Sequence, residues 1–168
     1  MFAPKRILVP TDFSDYSDEA LKQALELAKQ YHSKVYLLHV ANPVTQCTAD
    51  YCLDVDTFKK AEESTMIKAR DMMQQELQKF PESREIEIIS DISEGEPVAA
   101  ILKEQEEKGV DLIVMPSHGR SGLLKRLMGQ IAEKVMEGNQ DPRSACASLM
   151  GSKNQEAMTQ GGVDSTPP

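Results

Sequence analysis

The stretch V-D-L-I-V-M-P-S-H-G-R-S-G, which runs from Val110 to Gly122, decides the fold. Within it Leu112–Met115 is a short apolar run, which predicts a fully buried strand of a parallel sheet. Residues 117–130 then carry three arginines or lysines and no acidic residue, in a protein whose net charge is -8. A strand that ends in a basic, glycine-containing loop before a helix is typical of phosphate binding. Backbone N–H groups and the positive end of the helix dipole attract an anion there.

Length and composition limit the class of protein. A chain of 168 residues is long enough for one domain with a substantial core and too short for two ordinary domains. Acidic residues outnumber basic ones by 27 to 19, which argues against nucleic acid or an anionic membrane as a partner. The sequence shows neither an apolar run long enough to span a bilayer nor an apolar signal region. We therefore expect a cytoplasmic protein.

Strand patterns and helix patterns alternate along most of the chain. This alternation predicts an α/β protein with a parallel sheet and helices on both of its faces. Ligands bind such sheets beyond the carboxyl ends of the strands, where the strand order reverses. The predicted strands are Arg6–Pro10, Lys34–Val40, Glu85–Ser90 and Leu112–Met115, and the predicted helices are Glu19–Tyr31, Val55–Phe80, Pro97–Lys108 and Gly129–Glu137.

Two local patterns bear on the helix starts. Ser14 or Ser17 is expected to cap the first helix. Ser93 and Glu96 have the spacing of a capping box before Pro97, which opens the third helix.

The last thirty or so residues have a different composition. After residue 138 the chain is rich in Ser, Gly, Gln, Thr and Pro and contains no apolar run. Such a segment cannot bury enough surface to fold on its own. We predict a domain over residues 1–138 and a divergent, disordered tail over residues 139–168.

Three strings make the chain resemble the universal stress protein family over roughly residues 5–136. They are R-I-L-V-P-T-D-F-S with S-D-E-A-L (6–21), V-Y-L-L-H-V (35–40) and S-H-G-R-S-G-L-L-K-R-L-M-G-Q-I-A-E-K-V (117–135). The resemblance implies a doubly wound sheet of about five strands in Rossmann-like or flavodoxin-like order. It also implies homodimers and, in many members, a nucleotide-binding crevice.

One branch of this family binds ATP through the pattern G-x-x-G-x9-G-S/T after the fourth strand. Gly119 and Gly129 have the nine intervening residues of the second and third glycines. Pro116 stands at the first glycine and Gln130 at the Ser/Thr position. Proline has no N–H and a fixed φ, so a backbone donor is lost there.

The segment that should form the last strand also departs from the family. Members usually end in an apolar strand that closes the sheet edge and pairs across the dimer. Here Asp141–Met150 is rich in small residues and is a poor strand by propensity. Either this strand is degraded or another chain covers the edge of the fourth strand.

The residues predicted to contact a nucleotide follow from the resemblance. They lie at three strand ends, in the basic loop and in the last helix: Pro10, Thr11, Asp12, Val40, Met115, Pro116, Ser117, His118, Gly119, Arg120, Gly129, Gln130 and Ile131. The alternative for Asp12 is a turn or capping aspartate, and for Gly119 and Gly129 a tight strand-to-helix turn. His118 is interpreted as a loop residue near the ligand, and His39 as a hydrogen-bonded core histidine.

Three cysteines, Cys47, Cys52 and Cys146, are an odd number, which fits a reducing compartment. Unpaired thiols are therefore the favoured interpretation. A disulfide between Cys47 and Cys52 under oxidation is the alternative.

The predicted function is that of a cytoplasmic stress-response regulator that binds ATP, or the related ADP or AMP, with Mg²⁺ accompanying ATP. It would act on a regulatory protein partner as a homodimer. No Walker-type lysine motif or general base is evident, so we expect slow ATP hydrolysis at most and assign no catalytic or metal-binding residue. The alternative is a nucleotide-free dimeric interaction module of the same fold. A phosphoacceptor role for Asp12 is disfavoured, because no acidic cluster accompanies it.

Overall fold

The computed structural model describes residues 3–44, 47, 52–116, 125–139 and 144–149, of which 125–130 and 147–149 are described as backbone only. Five strands alternate with four helices: β1 (Arg6–Thr11), α1 (Asp15–Tyr31), β2 (Lys34–Ala41), α2 (Val55–Gln78), β3 (Ile88–Glu94), α3 (Pro97–Lys108), β4 (Leu112–Pro116), α4 (Lys125–Gly138) and β5 (Ala145–Leu149). A 3-10 helix, Pro81–Glu85, joins α2 to β3.

The five strands form one parallel sheet in the order β3-β2-β1-β4-β5. This is the Rossmann order rather than the flavodoxin order. The prediction of a doubly wound α/β sheet of about five strands is thus confirmed.

The two faces of the sheet carry separate cores. Side chains alternate along β1, so Ile7 and Val9 pack with α1 on one face, while Leu8 packs with α3 and α4 on the other. All three side chains are completely buried. The central strand therefore anchors both layers of helices.

Helix boundaries follow from local capping. Ser14 caps α1 by accepting a 3.2 Å hydrogen bond from Ser17 N, so the helix begins at Asp15, earlier than predicted. Glu96 itself is the N-cap of α3, accepting from Ala99 N at 2.8 Å, whereas Ser93 belongs to β3. The capping-box prediction is therefore wrong in its assignment of the cap.

The segment after residue 138 contains a strand. Residues 145–149 form β5, which pairs in parallel with β4 from Leu112 opposite Ala145 to Pro116 opposite Leu149. The prediction of disorder is wrong for these residues, and the edge of β4 is covered by this chain itself. Residues 150–168 lie outside the described part of the chain.

The loop between β2 and α2 contains a disulfide, Cys47–Cys52. This corrects the favoured interpretation of unpaired thiols and agrees with the alternative. The two residues also form an isolated antiparallel bridge, which brings their Cα atoms to 4.0 Å. Cys146 on β5 is the free cysteine of the described residues.

Candidate functional site

A ligand-binding crevice is expected beyond the point where the pairing of β1 with β4 ends. The two strands are in register only from Ile7 opposite Leu112 to Leu8 opposite Ile113, although both continue for three further residues. Pro10 has no N–H to donate to a ladder. From β1 the sheet continues through β2 to β3 on one side and through β4 to β5 on the other. The strand order therefore reverses between β1 and β4. The carboxyl ends of β1 and β4 therefore flank the expected ligand position of such a sheet.

A tight turn follows β1 at this edge. Phe13 has a left-handed backbone with φ 60°, which is costly for an aromatic residue. Two short-range hydrogen bonds hold the turn: Phe13 N donates to Thr11 Oγ1 at 3.0 Å, and Ser14 N donates to Asp12 Oδ1 at 3.1 Å. Asp12 is half-buried. Asp12 thus has the role in the turn that was predicted as the alternative to ligand contact.

The turn role leaves Asp12 capable of binding a ligand as well. Among the described residues Asp12 accepts only the bond from Ser14 N, and it does so through Oδ1. Its second carboxylate oxygen, Oδ2, remains an acceptor at the carboxyl end of β1. The same side chain can therefore cap the turn and receive a hydroxyl or amine donor.

His39 supports the turn from β2. Its Nδ1 lies 3.0 Å from Thr11 O, and its ring packs against the ring of Phe13 with centroids 4.4 Å apart. His39 is half-buried. This is the hydrogen-bonded structural histidine that the sequence predicted.

The other predicted residues in the described part occupy several environments. Val40 at the end of β2 and Ile131 on α4 are both half-buried and pack against the core between the sheet and α3 and α4. Met115 is 0% exposed and Pro116 is also buried, so a ligand would meet the backbone of these two residues. Pro10 is buried, and the buried Thr11 directs its hydroxyl to Glu76.

The basic part of the predicted site is only partly described. Ser117, His118, Gly119 and Arg120 lie outside the described residues. Helix α4 includes 125–128, which the prediction left out and which are good helix formers. Gly129 and Gln130 therefore lie inside the helix rather than at its start.

Glu76, which lies beneath the turn, was not among the residues predicted from the sequence. This carboxyl group is 2% exposed and accepts a 2.6 Å hydrogen bond from Thr11 Oγ1. Burial is the main cause that raises the pKa of Glu76 to about 7. A signal existed, since Glu76 follows Ala69 and Met73 at helical spacing and all three are buried on α2.

The described residues at this edge of the sheet offer several groups that could contact a ligand. In the described ranges no group of three His, Cys, Asp or Glu side chains is placed to hold a metal ion. Nor does any helix there have the length and apolarity that crossing a membrane requires. The site offers the carboxylate of Asp12, the backbone of Met115 and Pro116 and the apolar side chain of Val40.

Comparison with known proteins identifies the class. The model of the universal stress protein family matches residues 4–138. The universal stress protein MJ0531 of Methanocaldococcus jannaschii is 32% identical over 141 residues, covering 82% of this chain and 79% of that protein. YxiE, a universal stress protein of Bacillus subtilis, is 30% identical over 139 residues, covering 79% of this chain and 91% of its own length.

Solved structures agree with this result. The structure of the hypothetical protein MJ0577 superposes with a TM-score of 0.71 at 25% identity, covering 89% of this chain and 97% of that one. A universal stress protein in complex with cAMP shares the fold, with a TM-score of 0.58 at 20% identity, covering 89% and 97% of the two chains. The chain belongs to the universal stress protein family, as its sequence motifs predicted.

Proposed function

We propose that this protein binds an adenine nucleotide at the carboxyl ends of β1, β2 and β4. The single observation that carries the proposal is that the pairing of β1 with β4 ends at Leu8 and Ile113, with Asp12 directly after β1 at the same edge of the sheet. A universal stress protein in complex with cAMP and another in complex with dAMP share the fold, which supports adenine as the base. ATP is the proposed ligand, with ADP or AMP as alternatives.

Each part of the nucleotide has a proposed partner. The adenosine moiety lies between Asp12 and Val40, so that Oδ2 of Asp12 receives its donors and Val40 packs against its apolar faces. The phosphates extend toward the segment 117–130, which carries three basic residues and no acidic one. Mg²⁺ enters with ATP and is held by its phosphates, since no metal-binding group is assigned to the chain.

The biological role proposed is regulation rather than catalysis. Nucleotide occupancy changes the affinity for a protein partner in the cytoplasm, with slow hydrolysis at most. The protein acts as a homodimer. β5 supports this part of the proposal because it is an edge strand of the sheet, and an edge strand presents unpaired backbone groups to a second chain.

The second candidate is a nucleotide-free dimeric interaction module. Pro116 and Gln130 favour it, because each replaces a residue of the ATP-binding pattern. Pro116 in particular removes a backbone donor at the end of β4. Thermal unfolding with and without nucleotide separates the two candidates.

In that experiment millimolar ATP is expected to raise Tm. Ligand at tenfold excess over Kd stabilises a protein by about 1.4 kcal/mol, which corresponds to roughly 3–6 °C for a domain of this size. GTP and inorganic tripolyphosphate serve as matched controls for the base and for the phosphates. No shift with ATP would favour the interaction module, and an equal shift with tripolyphosphate would contradict recognition of adenine.

A further inference from the structure

A partly buried polar cluster joins three elements beneath the turn that follows β1. It consists of Thr11 on β1, Asp18 on α1, Glu76 on α2 and Lys79 at the end of α2. Glu76 Oε1 accepts from Thr11 Oγ1 at 2.6 Å, and Lys79 Nζ contacts Asp18 Oδ2 at 2.5 Å. These two contacts use one oxygen of each carboxyl group.

The other oxygen of each carboxyl group is buried without a donor. Glu76 Oε2 and Asp18 Oδ1 both have no hydrogen-bond partner within the described part of the chain. Of the described residues, Lys79 is the one whose ammonium group contacts the pair, and it contacts Asp18. Buried carboxylates are unfavourable without full pairing, and one of two neighbouring carboxyl groups then keeps its proton.

We propose that Glu76 and Asp18 share one proton, which Glu76 Oε2 holds and donates to Asp18 Oδ1, and that loss of this proton destabilises the folded protein beneath the turn that carries Asp12. The proposal does not depend on nucleotide binding, since it concerns the free protein.

The pKa of Glu76 agrees with this geometry. Its pKa is about 7. Burial is the largest cause that raises it, the charge of Asp18 and the hydrogen bond that protonated Glu76 can donate to Asp18 raise it too, and Thr11 and Lys79 lower it. The ordinary value is 4.5. The folded protein therefore holds a proton that the unfolded chain has released between these two values, and stability falls as pH rises from about 4.5 to about 7.

The Thr11 hydroxyl links Glu76 to the turn. Thr11 Oγ1 donates to Glu76 and accepts from Phe13 N, which keeps Phe13 in its left-handed conformation. A second acceptor, Ser17 Oγ, lies 3.2 Å from Thr11 Oγ1. A carboxylate accepts a hydrogen bond better than a protonated carboxyl group does, so the bond from Thr11 persists when Glu76 loses its proton and the change falls on the contact between Glu76 and Asp18.

Other ionisable groups around the cluster are few in the described structure. A shallow groove of about 340 Å³ beside it is lined on α1 by Asp15, Glu19 and Lys22, together with Asp18 and with Lys79 and Phe80. His39 on β2 is the titratable group that supports the turn from the other side, through Thr11 O. A test must therefore separate Glu76 from these neighbours.

Glu76→Gln makes that separation. The amide oxygen can accept from Thr11 and the amide nitrogen can donate to Asp18 Oδ1, so the variant mimics the protonated pair at every pH. We expect Glu76→Gln to unfold several degrees above the wild type at pH 8 and at the same temperature at pH 5. Glu63→Gln, an exposed position on the same helix, should follow the wild type at both pH values.

The other ionisable groups are the same in the wild type and in Glu76→Gln. Their contributions to the pH dependence of stability therefore cancel when the two proteins are compared. Glu104, whose pKa burial also raises, is one of them. Parallel stability curves for the wild type and Glu76→Gln between pH 5 and pH 8 would overturn the proposal. A direct measurement uses the side-chain carboxyl resonances of ¹³C-labelled glutamate: a midpoint near pH 7 that is absent from Glu76→Gln supports the shared proton, and titration of all glutamates below pH 5.5 contradicts it.

Discussion

Replacing Asp12 by alanine is expected to weaken ATP binding by about 10- to 100-fold. A hydrogen bond that involves a charged group contributes about 1.5–3 kcal/mol, and each 1.4 kcal/mol is about tenfold in Kd. Asp12 is half-buried, and one oxygen caps the turn by accepting from Ser14 N while the other is left for the ligand. Isothermal titration of ATP into the two proteins measures the difference.

Two further variants separate the ligand contact from the turn. Asp12→Asn retains an oxygen that accepts from Ser14 N and removes the negative charge, so it should lose affinity without loss of stability. Asp15→Asn changes an exposed aspartate three residues later and should leave Kd unchanged. Unchanged affinity in Asp12→Ala would show that the turn is purely structural.

Leu8→Ala is expected to destabilise the protein by about 3 kcal/mol, the typical cost of a cavity left by a buried leucine. Leu8 is 0% exposed on the central strand and packs with Ile113, Ile101 and Val135 between the sheet and the helices α3 and α4. A collapse of the core around the cavity is limited because β1 is held on both sides by neighbouring strands. Urea unfolding measures the change.

The control for this prediction is Ile67→Ala on α2. Ile67 is 57% exposed, so truncation should change the free energy of unfolding by no more than about 0.5 kcal/mol. A loss below about 1 kcal/mol for Leu8→Ala would contradict the packing of α3 and α4 on this face of the sheet.

The strands with dense apolar runs were predictable from the sequence, whereas those defined by their partners were not. β1, β2 and β4 were found at their apolar runs. β3 was predicted at Glu85–Ser90 but occupies Ile88–Glu94, because its register is set by pairing with β2, with Ala41 opposite Glu94. β5 has small residues with weak strand propensity and forms because β4 offers an open edge.

The location of the candidate site at the strand ends was predictable from the sequence, but the contacts that hold its turn in place were not. Parallel strands end at one edge, so the positions of Asp12, Val40 and Pro116 follow from the topology. The contact of Thr11 with Glu76 joins residues 65 positions apart, and a glutamate on a helix is ordinarily read as a surface residue. Spacing alone also could not decide between free thiols and the Cys47–Cys52 disulfide, since that depends on how the loop folds back.

The most direct test of the proposed nucleotide site is the mass of small molecules released by denaturing freshly purified protein, followed by titration with ATP if none is found. We expect ATP, ADP or AMP in near-stoichiometric yield, or saturable ATP binding that Asp12→Ala weakens. A protein that releases no nucleotide and does not respond to added ATP would contradict the proposed nucleotide site. The dimeric interaction module would then be the better description.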